Sequence, residues 1–218
     1  MAVSERAPAR THDLVRFDTG PYEAQLPAWV DRVTGEAWAV VTRQILPDKH
    51  TAAGLRGRLR SERAAVQIDD RHIVDLISPE NLVAKTLHAG FPSVPGDIWR
   101  TLDALLTSAP TWFGGRAWGP TGSVGFQLAT GLPVVRETSD LDLVIRVDGY
   151  LDPEEAQSIQ DALATLPTRV DCLLETSVGA VALAEWAATT PDGEVLLRTP
   201  TGPSLCRNPW AAGDRVRR

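Results

Sequence analysis

The stretch from Asp140 to Glu175 limits the fold more than any other part of this chain, because its apolar residues change period twice. Leu141, Leu143, Ile145 and Val147 alternate with polar neighbours, the two-residue period of a strand with one buried face. Asp152-Pro153-Glu154-Glu155 then supplies a capping box and a first-turn proline for a helix reaching Leu166, and Pro167 ends it. From Arg169 the period returns to two, with Val170, Cys172 and Leu174 facing a core and Arg169, Asp171, Leu173 and Glu175 facing away. Strand, helix and strand in about 35 residues is the spacing of an α/β sheet with a crossover helix, in parallel or mixed order.

The same pattern places chemistry on the polar face. Asp140 and Asp142 are two apart, so on a strand both carboxylates project together. Such a pair is costly to hold without a cation, and carboxylate oxygens suit Mg²⁺ or Mn²⁺ better than zinc or copper. Asp171 supplies a third carboxylate from the neighbouring strand, although Glu175 on the same face is an alternative. Three carboxylates on adjacent strands can hold two divalent ions against a triphosphate. The glycine-rich turn Gly114 to Gly122 fits that role: Gly122 permits close backbone approach, the N–H groups opening the helix Val124 to Thr130 attract phosphate oxygens, and Ser123 adds a hydroxyl. A lone Asp-x-Asp can equally end a turn, and Asp148 and Asp152 make this region acidic anyway. The ordered set of turn, helix and two acid-bearing strands is what favours a site.

The remainder reads as a second, smaller unit. Short apolar runs, His12 to Phe17, Ala37 to Val41 and Ala64 to Ile68, are separated by Gly20-Pro21, Gly35 and Pro47-Asp48, which predicts a β-rich domain over 1–78 with a helix around Pro27 to Val33. Ser78-Pro79-Glu80 opens a helix, Asp97 to Ala109 continues the helical period, and 79–218 forms the catalytic domain. A further helix is expected at Ala180 to Ala188 and a strand at Val195 to Leu197. The fold class is α/β (α+β), a β-rich N-terminal domain followed by a mixed sheet flanked by helices.

With 22 basic and 28 acidic residues the net charge is -6, which argues against a nucleic-acid polymer as partner. No run approaches the roughly eighteen apolar residues that cross a bilayer, and Met1 to Arg10 holds no apolar signal core, so no membrane association and a cytoplasmic location are expected. Cys172 and Cys206 have no metal or disulfide spacing. His12, His50, His72 and His88 are scattered. Thr121-Gly122-Ser123-Val124-Gly125 lacks the first glycine of a hydrolase elbow, and neither Lys49 nor Lys85 lies in a phosphate-binding glycine loop, which excludes a P-loop NTPase.

From Trp112 to Glu175 the residues resemble the nucleotidyltransferase superfamily that includes DNA polymerase β. A closer resemblance spans nearly the whole chain. Thr11-His12-Asp13-Leu14, Gly54-Leu55-Arg56-Gly57-Arg58, Trp118-Gly119-Pro120-Thr121-Gly122-Ser123-Val124-Gly125-Phe126, Ser139-Asp140-Leu141-Asp142-Leu143 and Leu197-Arg198-Thr199-Pro200-Thr201-Gly202-Pro203 with Asn208-Pro209-Trp210 are similar to the malonate decarboxylase holo-acyl-carrier-protein synthase family, also called phosphoribosyl-dephospho-CoA transferase. Asn208 stands where that family is expected to carry Asp. The resemblance implies an enzyme that moves 2'-(5''-triphosphoribosyl)-3'-dephospho-CoA onto a serine of the malonate decarboxylase acyl-carrier protein and releases pyrophosphate. It also implies that Gly122 and Ser123 grip the triphosphate and that Asp140 and Asp142 bind both metals. Asp171 would bind the metal facing the acceptor and help remove its proton. The alternatives are a nucleotidyltransferase for another acceptor, such as the citrate lyase carrier or a small molecule, and a catalytically silent module that binds the carrier.

Four further features bear on substrates. Arg58 and Arg60, in the run Arg56 to Arg63, suit a phosphate or an acidic carrier surface, or simply face solvent. Arg136 can balance the triphosphate or make a surface ion pair. Arg198 has no assigned part. Trp112, Trp118 and Trp210 are expected to pack the core and shield the glycine turn rather than stack on a base.

Overall fold

The structure, a computed structural model, describes residues 8–89 and 96–211. Residues 1–7, where most of the expected signal-free start falls, lie outside the described residues. The chain divides into two compact units, Met1–Ser78 and Pro79–Arg218.

In the first unit β1 (Leu14–Asp18), β2 (Glu36–Val41), β3 (His50–Arg56), β4 (Arg63–Asp69) and β5 (Ile73–Ile77) form one antiparallel sheet in the order β4-β3-β2-β1-β5. Its core includes Val15, Phe17, Ala39, Leu55 and Ile68, contributed by alternate strand positions. The helix expected at Pro27 to Val33 is absent: these residues run through turns, with Val30 N–H donating to Pro27 O at 3.1 Å. The reason lies just beyond them. Thr34 (φ 54°) and Gly35 (φ 82°) both adopt the left-handed region that a tight hairpin demands, so Val33 pairs with Glu36 and the chain reverses there into β2. Sequence reading also overlooked β3 and β5, whose apolar alternation is interrupted by Thr51, Gly54 and Asp75.

The second unit contains α1 (Pro79–Ala89), α2 (Asp97–Trp112), β6 (Trp118–Pro120), α3 (Gly122–Thr130), β7 (Leu141–Arg146), α4 (Pro153–Ala164), β8 (Val170–Glu175), β9 (Ala180–Ala182), α5 (Leu183–Ala187), β10 (Val195–Thr199) and β11 (Gly202–Cys206). Its sheet has the order β11-β10-β9-β8-β7-β6. Only β7 and β8 are parallel, joined by α4 as the crossover, and the other pairs are antiparallel, so the sheet is mixed. Asp152 caps α4 by accepting from Glu154 N–H at 2.8 Å, with Pro153 opening the helix. Leu141, Leu143 and Ile145 from β7 and Cys172 and Leu174 from β8 pack with Leu102 and Leu105 of α2 and Ile159 and Leu163 of α4 in one apolar core.

Three local expectations change. Ala180 to Ala182 form a strand, not the start of a helix, because Gly179 O accepts from Thr176 N–H at 2.8 Å and folds them back between β8 and β10; pairing overrides alanine's helical propensity. The glycine-rich turn includes the short edge strand β6, where Gly119 is required because a Cβ there would strike the Pro79 carbonyl at the start of α1. The helix expected to end near Ala109 runs to Trp112 with Pro110 inside its last turn, and Phe113 N–H still reaches Ala109 O at 2.8 Å. Arg146 on β7 meets Glu80 of α1 at 2.8 Å, both largely buried, an ion pair that ties the first helix of this unit to the strand that carries Asp142.

Candidate active site

The parallel ladder decides where the acids meet. Asp142 and Asp171 are register partners across β7 and β8, so their Cα atoms lie about 5 Å apart with both side chains on the face away from the α2/α4 core. Glu175 sits instead opposite Arg146, one strand length further on. Asp140 lies one residue before β7, exposed, where Leu141 N–H starts the strand by bonding Arg169 O at 3.0 Å.

The glycine turn is built directly onto Asp142. Thr121 N–H donates to Asp142 O at 2.8 Å, Gly122 opens α3 at φ 57°, and a Cβ on Gly122 would fall on the Asp142 carboxylate. Only glycine therefore lets the start of α3 lie flat against this acid. Thr121 makes no side-chain capping bond, so the first N–H groups of α3 are not satisfied by a side-chain cap. Ser123 is buried on α3 rather than open to solvent.

Among the side chains that hold the loop from α3 to β7 is Gln127, which sequence reading missed. Buried Gln127 accepts from Val134 N–H at 3.0 Å and Val135 N–H at 2.9 Å through Oε1. Past that anchor, Arg136 N–H donates to Ser139 Oγ and Ser139 N–H to Arg136 O, each at 3.0 Å, which turns the chain into β7. Arg136 is exposed on this turn, three residues before Ser139.

A cleft of about 730 Å³ opens beside these residues, lined by Thr121, Asp142, Arg169, Asp171, Leu173 and Arg198 among others. It exists because β9 flanks β8 only from Leu173 onward, which leaves the side of Val170–Cys172 away from β7 without a strand. Arg169 lies in the cleft with Nε 3.0 Å and Nη2 2.9 Å from Asp171 Oδ1, both side chains substantially exposed. Cys172 also lines it, but burial pushes its thiol pKa far up, so it is wall rather than nucleophile. Trp118 packs edge-on to Phe113 at 5.5 Å behind the turn, and Trp210 donates Nε1–H to Val147 O at 2.8 Å.

The oxygen donors match a hard divalent cation in type and in backbone placement. Their side chains are not gathered around one point: among the described residues no three His, Cys, Asp or Glu groups form a metal cluster, and the Asp171 carboxylate is engaged by Arg169. Arg58 and Arg60 belong to the other unit, exposed on the loop between β3 and β4, where Arg58 meets Asp31 at 3.2 Å.

A mixed α/β domain that sets two strand carboxylates and a cleft against a glycine-opened helix is an arrangement suited to group transfer. The family models for the phosphoribosyl-dephospho-CoA transferase MdcG N-terminal domain and C-terminal domain match residues 10–79 and 86–209. A Phosphoribosyl-dephospho-CoA transferase of Pseudomonas putida is 37% identical over 95% of this chain and 98% of its own length. One from Klebsiella pneumoniae subsp. pneumoniae is 38% identical over 94% and 97%, and one from Azotobacter vinelandii 37% over 91% and 93%. No solved structure gives a significant match. The chain belongs to the phosphoribosyl-dephospho-CoA transferase family and is a transferase.

Proposed function

We propose that this enzyme transfers the phosphoribosyl-dephospho-CoA group from 2'-(5''-triphosphoribosyl)-3'-dephospho-CoA to a serine of the malonate decarboxylase acyl-carrier protein, at a site of the polymerase β type. The observation that carries this reading is the register of Asp142 with Asp171 beneath the glycine-opened start of α3. The names of the relatives supply the donor class.

In this reading the first N–H groups of α3 and Gly122 hold the outer phosphates of the donor, and Ser123 steadies that turn from within. Asp140, Asp142 and Asp171 would hold Mg²⁺ or Mn²⁺, which when bound supplies charge neutralisation on the triphosphate and lowers the acceptor hydroxyl's pKa. The serine oxygen bonds to the innermost phosphorus of the triphosphate, the bond to the bridging oxygen breaks, and pyrophosphate leaves. Asp171, the more exposed of the two register partners, takes the serine proton. Arg136, on the turn before β7, offsets charge on the departing pyrophosphate. Most of the rate enhancement comes from holding acceptor, phosphorus and leaving oxygen in line.

The test is label transfer from the donor to purified carrier protein. Asp142→Asn is expected to lower transfer by about a thousandfold or more while the melting temperature moves by only a few degrees. EDTA is expected to abolish the wild-type reaction and Mg²⁺ to restore it. Asp142→Asn that retains wild-type transfer would sink the reading. Equal labelling of a citrate lyase carrier or a small-molecule hydroxyl would overturn the acceptor alone.

A further inference from the structure

Arg198 stands in the same cleft as Asp142 and Asp171 but cannot serve the same phosphorus. It lies on β10 opposite Ala180, which in turn pairs with Glu175 of β8. Four residues along β8 and two strands across, the Cα atoms of Asp171 and Arg198 are about 16 Å apart. An arginine side chain spans less than half of that. Between them the floor of the cleft is Leu173 and Ala182, a half-buried apolar step.

The charge on Arg198 is also unspent. Arg169 is bonded to Asp171 and Arg146 to Glu80, whereas among the described residues no carboxylate pairs with Arg198, which projects from the exposed face of β10. Its immediate cross-strand neighbours, Ala180 and Pro203, are short and uncharged, and the nearest carboxylate by register, Glu175, stands one strand beyond Ala180 without forming an ion pair with it. A bare arginine fork at the far end of a cleft whose near end is built for phosphate fits a second anionic group of the same ligand.

We propose that Arg198 is the diphosphate subsite of the donor: it binds the diphosphate that links adenosine to pantetheine in the dephospho-CoA half, while the reacting triphosphate lies at Asp142 and Asp171. This inference rests on the proposed donor. The two riboses that link the two phosphate groups cross the Leu173–Ala182 step. Arg198 is then a specificity residue, which distinguishes a dephospho-CoA donor from an ordinary nucleoside triphosphate that has the near group and lacks the far one.

The experiment measures inhibition of transfer by two probes, dephospho-CoA, which carries only the far diphosphate, and ATP, which carries only a triphosphate, in the wild-type enzyme and in Arg198→Ala and Arg198→Lys. Arg198→Ala is expected to weaken dephospho-CoA inhibition and raise the donor KM by roughly ten- to a hundredfold, with kcat and ATP inhibition unchanged. Arg198→Lys is expected to recover part of that loss, because it restores charge without the fork. Equal inhibition of the wild-type enzyme and Arg198→Ala by dephospho-CoA would overturn the subsite while leaving the proposed reaction intact. No inhibition of the wild-type enzyme by dephospho-CoA would instead remove the donor assignment on which the subsite rests. A parallel loss of ATP inhibition in Arg198→Ala would assign Arg198 to the reacting phosphates and also overturn the proposal.

Discussion

Gly122 is the residue on which the site depends most directly. Its φ of 57° disfavours any side chain, and the space a Cβ needs is filled by Asp142. Gly122→Ala is therefore expected to cost about 1–3 kcal/mol in backbone strain. It also pushes Asp142 aside, so transfer is expected to fall by about a hundredfold, more than the lost stability explains. Thermal denaturation and kcat measured together check this; unchanged kcat in a folded variant would count against the contact. The glycine and both acids were visible in sequence as residue types at a meaningful spacing. Their direct contact was not, since twenty residues separate Gly122 from Asp142 and only the β6–β7 pairing brings them together.

At the scale of elements, the long connection between α3 and β7 holds no strand or helix of its own, yet it delivers Asp140 and Arg136 to their places. Gln127 does that work from the helix by satisfying two consecutive N–H groups. Gln127→Ala is expected to leave both amides without an acceptor, at about 1–3 kcal/mol for each that stays buried, whereas Gln127→Glu keeps the acceptor and costs less. Amide hydrogen exchange at Val134 and Val135 is the measurement: fast exchange only in the alanine variant supports the anchor, and unchanged exchange there refutes it. No local signal marks Gln127, because glutamine is an ordinary helix residue and its importance comes from burial. The helices α1, α2 and α4 were legible from period and caps. The segments at 27–33 and 180–182 were misread because a hairpin turn and a sheet partner, both set by residues outside those segments, outweigh local propensity.

For the whole molecule, each unit has its own apolar core, and the two sets of expected substrate contacts are divided between them. The acids, Gly122, Ser123 and Arg136 belong to the second unit, while Arg58 and Arg60 belong to the first. Of the partners that Arg58 and Arg60 suit, a phosphate or an acidic carrier surface, we propose the carrier. The double variant Arg58→Glu with Arg60→Glu is accordingly expected to raise the KM for carrier protein about tenfold while leaving the donor KM unchanged. Its melting temperature is expected to change little, since the exposed Arg58–Asp31 pair contributes at most about 1 kcal/mol. Equal carrier KM for the variant and the wild-type enzyme would show these arginines to be a solvated loop.

By itself the sequence determined the α/β class, the strand–helix–strand passage that carries the acids, and which residue types stand on it, because period, caps and residue type are local properties. Tertiary structure decided which acids face each other. Asp171 and Glu175 share one face of β8, and their spacing alone cannot rank them; the parallel register with β7 places Asp171 beside Asp142 and Glu175 beside Arg146. It also decided that Arg198, distant in the chain, shares their cleft, since β9 is short enough to leave β8 open where the acids lie.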